Sequence, residues 1–280
     1  MLCLPTETIL DVFKFLSYNQ LCSIKQTNFY LHDFVNYFEE ELAREKLYEI
    51  SIEDFEQYKQ HPLTEAENLY FSLNDGQLEE MWKNGIGNPI ALYLPNQDSN
   101  KNLVIRLTKL FDSEYVLLLQ LPTIIKSKED IKIVYNYLNK LFNCSFERGN
   151  FKEFLFNPEL IKLLFGNAKA LKRIYIKKCL MSITNHNIEN FFQFSLDHLE
   201  CKTLRSYFQI HEDIMEKYKD ILFKTLIKGD NFGKIKLDFH SPSSRYDQFR
   251  IGKLLSDYIV EYVARVKHCS KVVNNIIVEY

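Results

Sequence analysis

Over residues 1–42 the apolar positions recur at helical spacing, and beyond them they come mostly in short strand-like runs. Ile9, Leu10, Val12, Phe13 and Leu16 share one broad helical face. Pro5 stands ahead of them, where a first turn does not need the missing N–H. Ser17 suits an N-cap, and Gln20 three residues later completes a capping box. The helix it opens would turn Leu21, Cys22 and Ile24 inward. Asn28 suits the cap of a third, longer helix with Leu31, Phe34, Val35, Phe38 and Leu42 as its stripe. That helix is expected to run on to Lys46, with acids before bases along the dipole and Glu40–Arg44 as an i,i+4 pair. Residues 47–66 are acidic, mixed and broken by Pro62, and are read as a linker between residues 1–46 and a domain at 67–280.

In that domain strands alternate with helices. Strands are expected at 69–73, 90–94, 116–121, 171–176, 204–208, 235–239 and 273–278. Helices are expected at 77–83, 102–107, 128–142, 158–165, 188–199, 213–227 and 247–266. Crossover helices imply mostly parallel strands. The spacing apolar-x-x-apolar-x-apolar recurs at Val116/Leu119/Leu121, Phe151/Phe154/Phe156, Leu171/Ile174/Ile176, Phe232/Ile235/Leu237 and Val273/Ile276/Val278. Cys201/Leu204 begins another copy that ends in Ser206. The pattern resembles an irregular leucine-rich repeat, in which each unit adds a strand to an arc and a helix behind it. A single open α/β layer without repeats is the alternative.

Composition narrows the field. The chain of 280 residues is 46% hydrophobic with 22 Phe and 17 Tyr, enough to fill a core. Residues 1–60 hold eleven acids against five bases, while 124–180 hold twelve bases against five acids. A formal charge of -2 gives no reason to expect nucleic acid as a partner. Glu7 and Asp11 interrupt the start and no long apolar run follows, so neither a secretory leader nor a membrane span is expected. The six cysteines show no metal-ligand spacing and read as reduced thiols of an intracellular protein, in cytoplasm or nucleus. The sequon at Asn143 then carries no sugar.

The first helices carry a second resemblance. Leu4-Pro5-x-Glu7-x-x-Leu10-x-x-Phe13-x-x-Leu16, followed by Leu21 and Thr27-Asn28, resembles an F-box. The run Asn19–Asn28 is similar to the form common in F-box proteins of nematodes. The likeness covers about 40 residues. One position departs from it: many family members have Trp in the third helix, where this chain has Leu31 beside Tyr30. The resemblance implies a subunit that binds a Skp1-type adaptor and, through it, a cullin-RING ubiquitin ligase. Leu4, Pro5, Leu10, Phe13, Leu16 and Leu21 would then lie in or beside the adaptor contact. A helical cap packed on the chain's own C-terminal domain is the alternative.

On the arc, the positions between core residues would face outward. They include Glu153, Leu155 and Asn157, then Arg173, Tyr175 and Lys177, then Arg205, Tyr207, Lys236 and Asp238. Arg173, Tyr175, Lys177, Arg205 and Tyr207 are the expected contacts to a protein target, an acidic one by charge. A face of ordinary solvated lysines is the plainer reading.

Chemistry finds no foothold in the sequence. Gly229–Lys234 is one residue short of a phosphate loop, and Ile235 stands where Ser or Thr should bind magnesium. Gly85-Ile86-Gly87 lacks a third glycine, and no GxSxG elbow occurs. His198 and Cys201 lack a second close pair of ligands. Neither a catalytic residue nor a cofactor or metal is expected.

Overall fold

A computed structural model of the chain describes residues 4–39, 41–65, 75–85, 89–94, 102–109, 116–166, 172–210, 212–226, 231–239, 245–265 and 275–279. It opens with three short helices, α1 (Thr6–Lys14), α2 (Tyr18–Lys25) and α3 (Phe29–Tyr37). Both expected caps form. Ser17 Oγ accepts from the Gln20 amide while Gln20 Oε1 accepts from the Ser17 amide at 2.8 Å. Asn28 Oδ1 accepts from the Leu31 amide at 2.9 Å. Each satisfies donors that a helix start leaves orphaned. Leu10, Phe13, Leu21, Phe34, Val35 and Leu42 make a small core of their own, with Phe13 edge-on to Phe34 at 5.4 Å.

The third helix does not reach Lys46. It ends at Tyr37, ahead of Glu39 and Glu41. Acids at a helix C-terminus oppose the dipole, and here Glu41 turns back to pair with Lys14 at 2.9 Å. The expected linker is also overturned. Residues 45–54 form β1 (Glu45–Asp54), a central strand of the main sheet, and Leu63–Glu65 form β2 at its edge. The acids that made this stretch look like linker sit between Leu47, Ile50 and Ile52, which are buried. One of those acids, Glu49, pairs with Arg106 on the neighbouring strand.

The remaining elements follow in order: α4 (Asp75–Gly85), β3 (Ile90–Ala91), β4 (Tyr93–Leu94), β5 (Leu103–Thr108), β6 (Val116–Gln120), β7 (Ile124–Ile125), α5 (Lys128–Phe142), β8 (Cys144–Phe151), β9 (Leu155–Phe156), α6 (Pro158–Phe165), β10 (Ile174–Thr184), α7 (Ile188–His198), β11 (Leu199–Gln209), α8 (Glu212–Leu226), β12 (Phe232–Phe239), α9 (Arg245–Arg265) and β13 (Ile276–Glu279). The helix expected at 102–107 is instead β5, since six residues rich in Val, Ile and Leu cannot sustain an isolated helix. The strand expected at 69–73 and Val273 lie outside the described residues.

Among the described residues nine strands form the main sheet in the order β13-β12-β11-β10-β8-β1-β5-β6-β2. From β1 to β13 every neighbouring pair is parallel, while β5 runs antiparallel to both β1 and β6. From β8 onward, sheet order follows chain order. Helices α6, α7, α8 and α9 pack side by side in the same sequence, so they form one layer on one face. The protein is therefore an α/β fold with a mostly parallel sheet, preceded by three helices.

A repeat is visible in the register, but not in the phase the sequence suggested. Leu47, Phe146, Ile176, Cys201 and Phe232 are level with one another, and so are Ile50, Gly149, Cys179, Leu204 and Ile235. The in-phase triplets on β8 and β10 are Phe146/Gly149/Phe151 and Ile176/Cys179/Met181. The apolar spacing in the sequence lies five positions later on β8 and five earlier on β10, because glycine and cysteine hold the middle places. A Cβ on Gly149 would lie 2.5 Å from Ile176 Cδ1, so the neighbouring isoleucine occupies the space a side chain would need. Val116/Leu119/Leu121 belongs to β6, outside the parallel run. Leu155 and Asn157, expected to face outward, are buried. Leu155 belongs to β9, which pairs with β4, and Asn157 caps α6 while its side-chain amide donates to the Ala91 carbonyl at 2.8 Å.

Candidate protein-interaction site

Two surfaces concentrate the residues that could recognise a partner. The first is the helical unit. A three-helix unit this small cannot enclose all its apolar side chains, and the structure divides them. Leu10, Phe13 and Leu21 go to the unit's own core, and Leu16 packs partly against it. Leu4 and Pro5 lie on the surface. Val12, Phe15, Phe29, Tyr30 and Tyr37 are exposed as well, Phe15 and Phe29 at 89%. Aromatic side chains are enriched at protein interfaces relative to the rest of the surface. The sequence reading had missed Phe15 and Phe29. Their signal was available, since each is an aromatic residue outside the apolar stripe of its helix.

The unit meets the sheet domain at its base. Arg44 Nη1 donates to the Phe142 carbonyl, which closes the C-terminal end of α5, and its guanidinium lies 3.7 Å from the centre of the Tyr175 ring. A cation is well placed at a helix C-terminus and over an aromatic face. Tyr18, at the start of α2, hydrogen-bonds with Cys22, and its hydroxyl is pushed up from its ordinary value, first by burial. Cys144 at the start of β8 is held up to about 12, again chiefly by burial, which leaves its thiol protonated and unreactive at neutral pH.

The second surface is the sheet face opposite the helix layer. It carries all five expected target contacts but does not bring them together. Tyr175 is level with Glu200, and Arg205 lies five residues further along β11. At about 3.3 Å per residue, that separates the two groups by roughly 16 Å. Nor are the cations free. Arg173 lies 3.9 Å from Glu200, and Lys177 pairs with Glu147 at 2.9 Å. Arg205 Nε donates to Asp238 at 2.6 Å, and its guanidinium lies 4.8 Å from the Tyr207 ring. Asp238 is buried. Glu279 joins this second group through Arg205 and through Lys236 at 2.7 Å. Its carboxyl is held down to about 2 by the groups around it, Asp238 and then the Lys236 ammonium first among them. Much of the expected basic face is thus neutralised within the sheet.

Between these groups and the start of the strands runs a groove of about 680 Å³, crossing β1, β8, β10, β11 and β12. Tyr175 and Lys177 line it, together with Lys46 and Lys202. A smaller cavity of about 250 Å³ lies beside α6 and α7, against His198. Burial pushes the His198 imidazole below its ordinary value, and its ring is held at 3.1 Å from the Lys172 carbonyl. Cys179 and Cys201 are buried and their thiols are pushed well above the ordinary range. Among the described residues no three His, Cys, Asp or Glu side chains gather as a metal site would need, and no helix is long and apolar enough to cross a membrane.

The family model described as "Domain of unknown function (DUF8381)" matches residues 63–209, just over half of the chain. The match runs from β2 to the end of β11 and leaves out the three helices and β1. No curated protein and no solved structure is significantly similar to the chain.

Proposed function

We propose that this chain, which belongs to the DUF8381 family, is the target-recruiting subunit of a Skp1-cullin-F-box type ubiquitin ligase. Its helices would bind a Skp1-type adaptor and its sheet domain, read as an irregular leucine-rich-like arc, would hold a protein target. Ubiquitin transfer would belong to the rest of the ligase. One observation carries the reading: a capped three-helix unit has its own core and still exposes Leu4, Phe15, Phe29 and Tyr30. The arc is supported by sheet order following chain order with the helices on one side.

The other reading is a non-enzymatic interaction scaffold whose helices pack on its own C-terminal domain. Burial favours the first. Phe13 is covered by Phe34 of α3, within the unit, and Leu4 and Pro5 are open. Titration of the purified chain with a Skp1-type adaptor in a calorimeter tests the proposal. Binding at micromolar or tighter is expected, and Leu4→Ala with Pro5→Ala should weaken it by about 1–3 kcal/mol each. A folded chain that shows no association in that range would overturn it.

A further inference from the structure

The groove across the parallel strands has two walls, one residue row on each side of a buried floor. On one wall Lys46, Ser145, Tyr175 and Glu200 are level across β1, β8, β10 and β11. On the other, Lys177 falls between the register pairs Ile176–Cys201 and Lys178–Thr203, which sets it level with Lys202, and Glu147 is its neighbour on β8. The floor between them is Leu47, Phe146, Ile176 and Cys201. At β12 the second wall is interrupted, because Gly233 has no side chain. A Cβ there would come within 3.0 Å of the Lys202 carbonyl oxygen. Five strands at about 4.8 Å spacing make the groove roughly 19 Å long, the span of about six extended residues.

Charge selects what fits. Glu147 is taken by Lys177 and Glu200 faces Arg173. Lys46 and Lys202 have no ion pair among the described residues and both line the groove. They stand on opposite walls, three strand steps apart along its length and two residues apart along the strands, which together make about 16 Å. We infer that the groove binds an extended peptide segment with two carboxylates five residues apart, one facing Lys46 and the other Lys202, and small residues between them over the floor. Five extended residues span about 16–17 Å and, because side chains alternate, turn the two carboxylates to opposite sides, as the two walls require. This rests on the reading of the sheet face as a target site and gives that target a charge pattern.

The test is fluorescence anisotropy of labelled ten-residue peptides of Val and Ser, titrated with the full chain at low salt. One peptide carries Glu at positions 3 and 8, the other Glu at positions 3 and 4. The spaced peptide should bind about fivefold tighter or more. Lys46→Gln and Lys202→Gln, both exposed positions, should each weaken it by about two- to fivefold. The chain carrying Lys46→Glu and Lys202→Glu should instead prefer Lys at positions 3 and 8. Equal binding of the two Glu peptides, or no binding of either, would overturn the inference. Adaptor titration of the same samples separates the outcomes: intact adaptor binding with no peptide preference removes only the groove, while peptide selection without adaptor binding removes only the ligase assignment.

Discussion

The helical unit and the sheet domain treat the same side chain in opposite ways. Phe15 and Phe29 of the helices stand almost fully in water, while Phe142, Phe151, Phe156, Phe191 and Phe194 of the sheet domain are 0–1% exposed. Size is the physical reason. The sheet domain lays helices over a nine-stranded sheet and encloses one contiguous core, whereas three helices of eight or nine residues have six buried apolar residues to share. Phe15 and Phe29 are therefore free to serve a partner, whereas Phe13 and Phe34 of the same unit fill its small core. Propensity does not separate them, since exposed Phe29 sits on a helix just as buried Phe142, Phe191 and Phe194 do.

That contrast can be broken by substitution. Phe194→Ala should have the largest effect, about 3–5 kcal/mol lost from the sheet domain in urea unfolding, because Phe194 packs against both Phe151 and Phe156. Leu21→Ala should cost about 2–5 kcal/mol, but confined to the helical unit. Amide exchange should quicken over α1 to α3 and stay slow in β10 and β11. If both regions lose protection together, the two cores are not independent. Gly149→Ala should cost about 1–3 kcal/mol by overpacking, and Ile176→Val in the same chain should restore part of it by shortening the side chain in the way. Asn28→Ala should lower the stability of the helical unit by about 1 kcal/mol. Phe29→Ala should leave urea unfolding within about 0.5 kcal/mol while weakening adaptor binding, the reverse of the Phe194 result.

The smallest effect concerns pH. The Glu279 carboxyl is held at about 2, below its ordinary 4.5. A depressed carboxyl stabilises the fold above its unfolded value, so the contribution is complete above pH 4.5 and is lost as pH falls toward 2. Exchange of the β13 amides should quicken over that window, and Glu279→Gln should remove this part of the dependence. An unchanged profile in the variant would show that the Lys236–Glu279 contact does not hold the edge strand.

Local signals carried much of the fold. The caps at Ser17 and Asn28 were readable because each satisfies orphan amides within four residues. Helices α5 and α6 begin and end where their apolar periodicity does. Strand phase was readable where the repeat kept aliphatic residues, at Phe232/Ile235/Leu237, and failed at Gly149 and Cys179. The candidate sites were less legible. Tyr/Arg chemistry on β10 and β11 stood out, but its partners Glu147, Glu200, Asp238 and Glu279 come from other strands, and the groove joins residues from Lys46 to Gly233.

By itself the sequence determined the three N-terminal helices with the caps of the second and third, the α/β alternation and the mostly parallel strands, since all of these follow from spacing along a few residues of chain. Only the tertiary structure decided that residues 45–54 are a central strand rather than a linker, that Phe15 and Phe29 stay in water, and which of the basic side chains are free. Each of those depends on what a distant segment brings alongside: β5 and β8 for β1, the lack of a covering layer for the phenylalanines, and a carboxylate on the next strand for Arg173, Lys177 and Arg205.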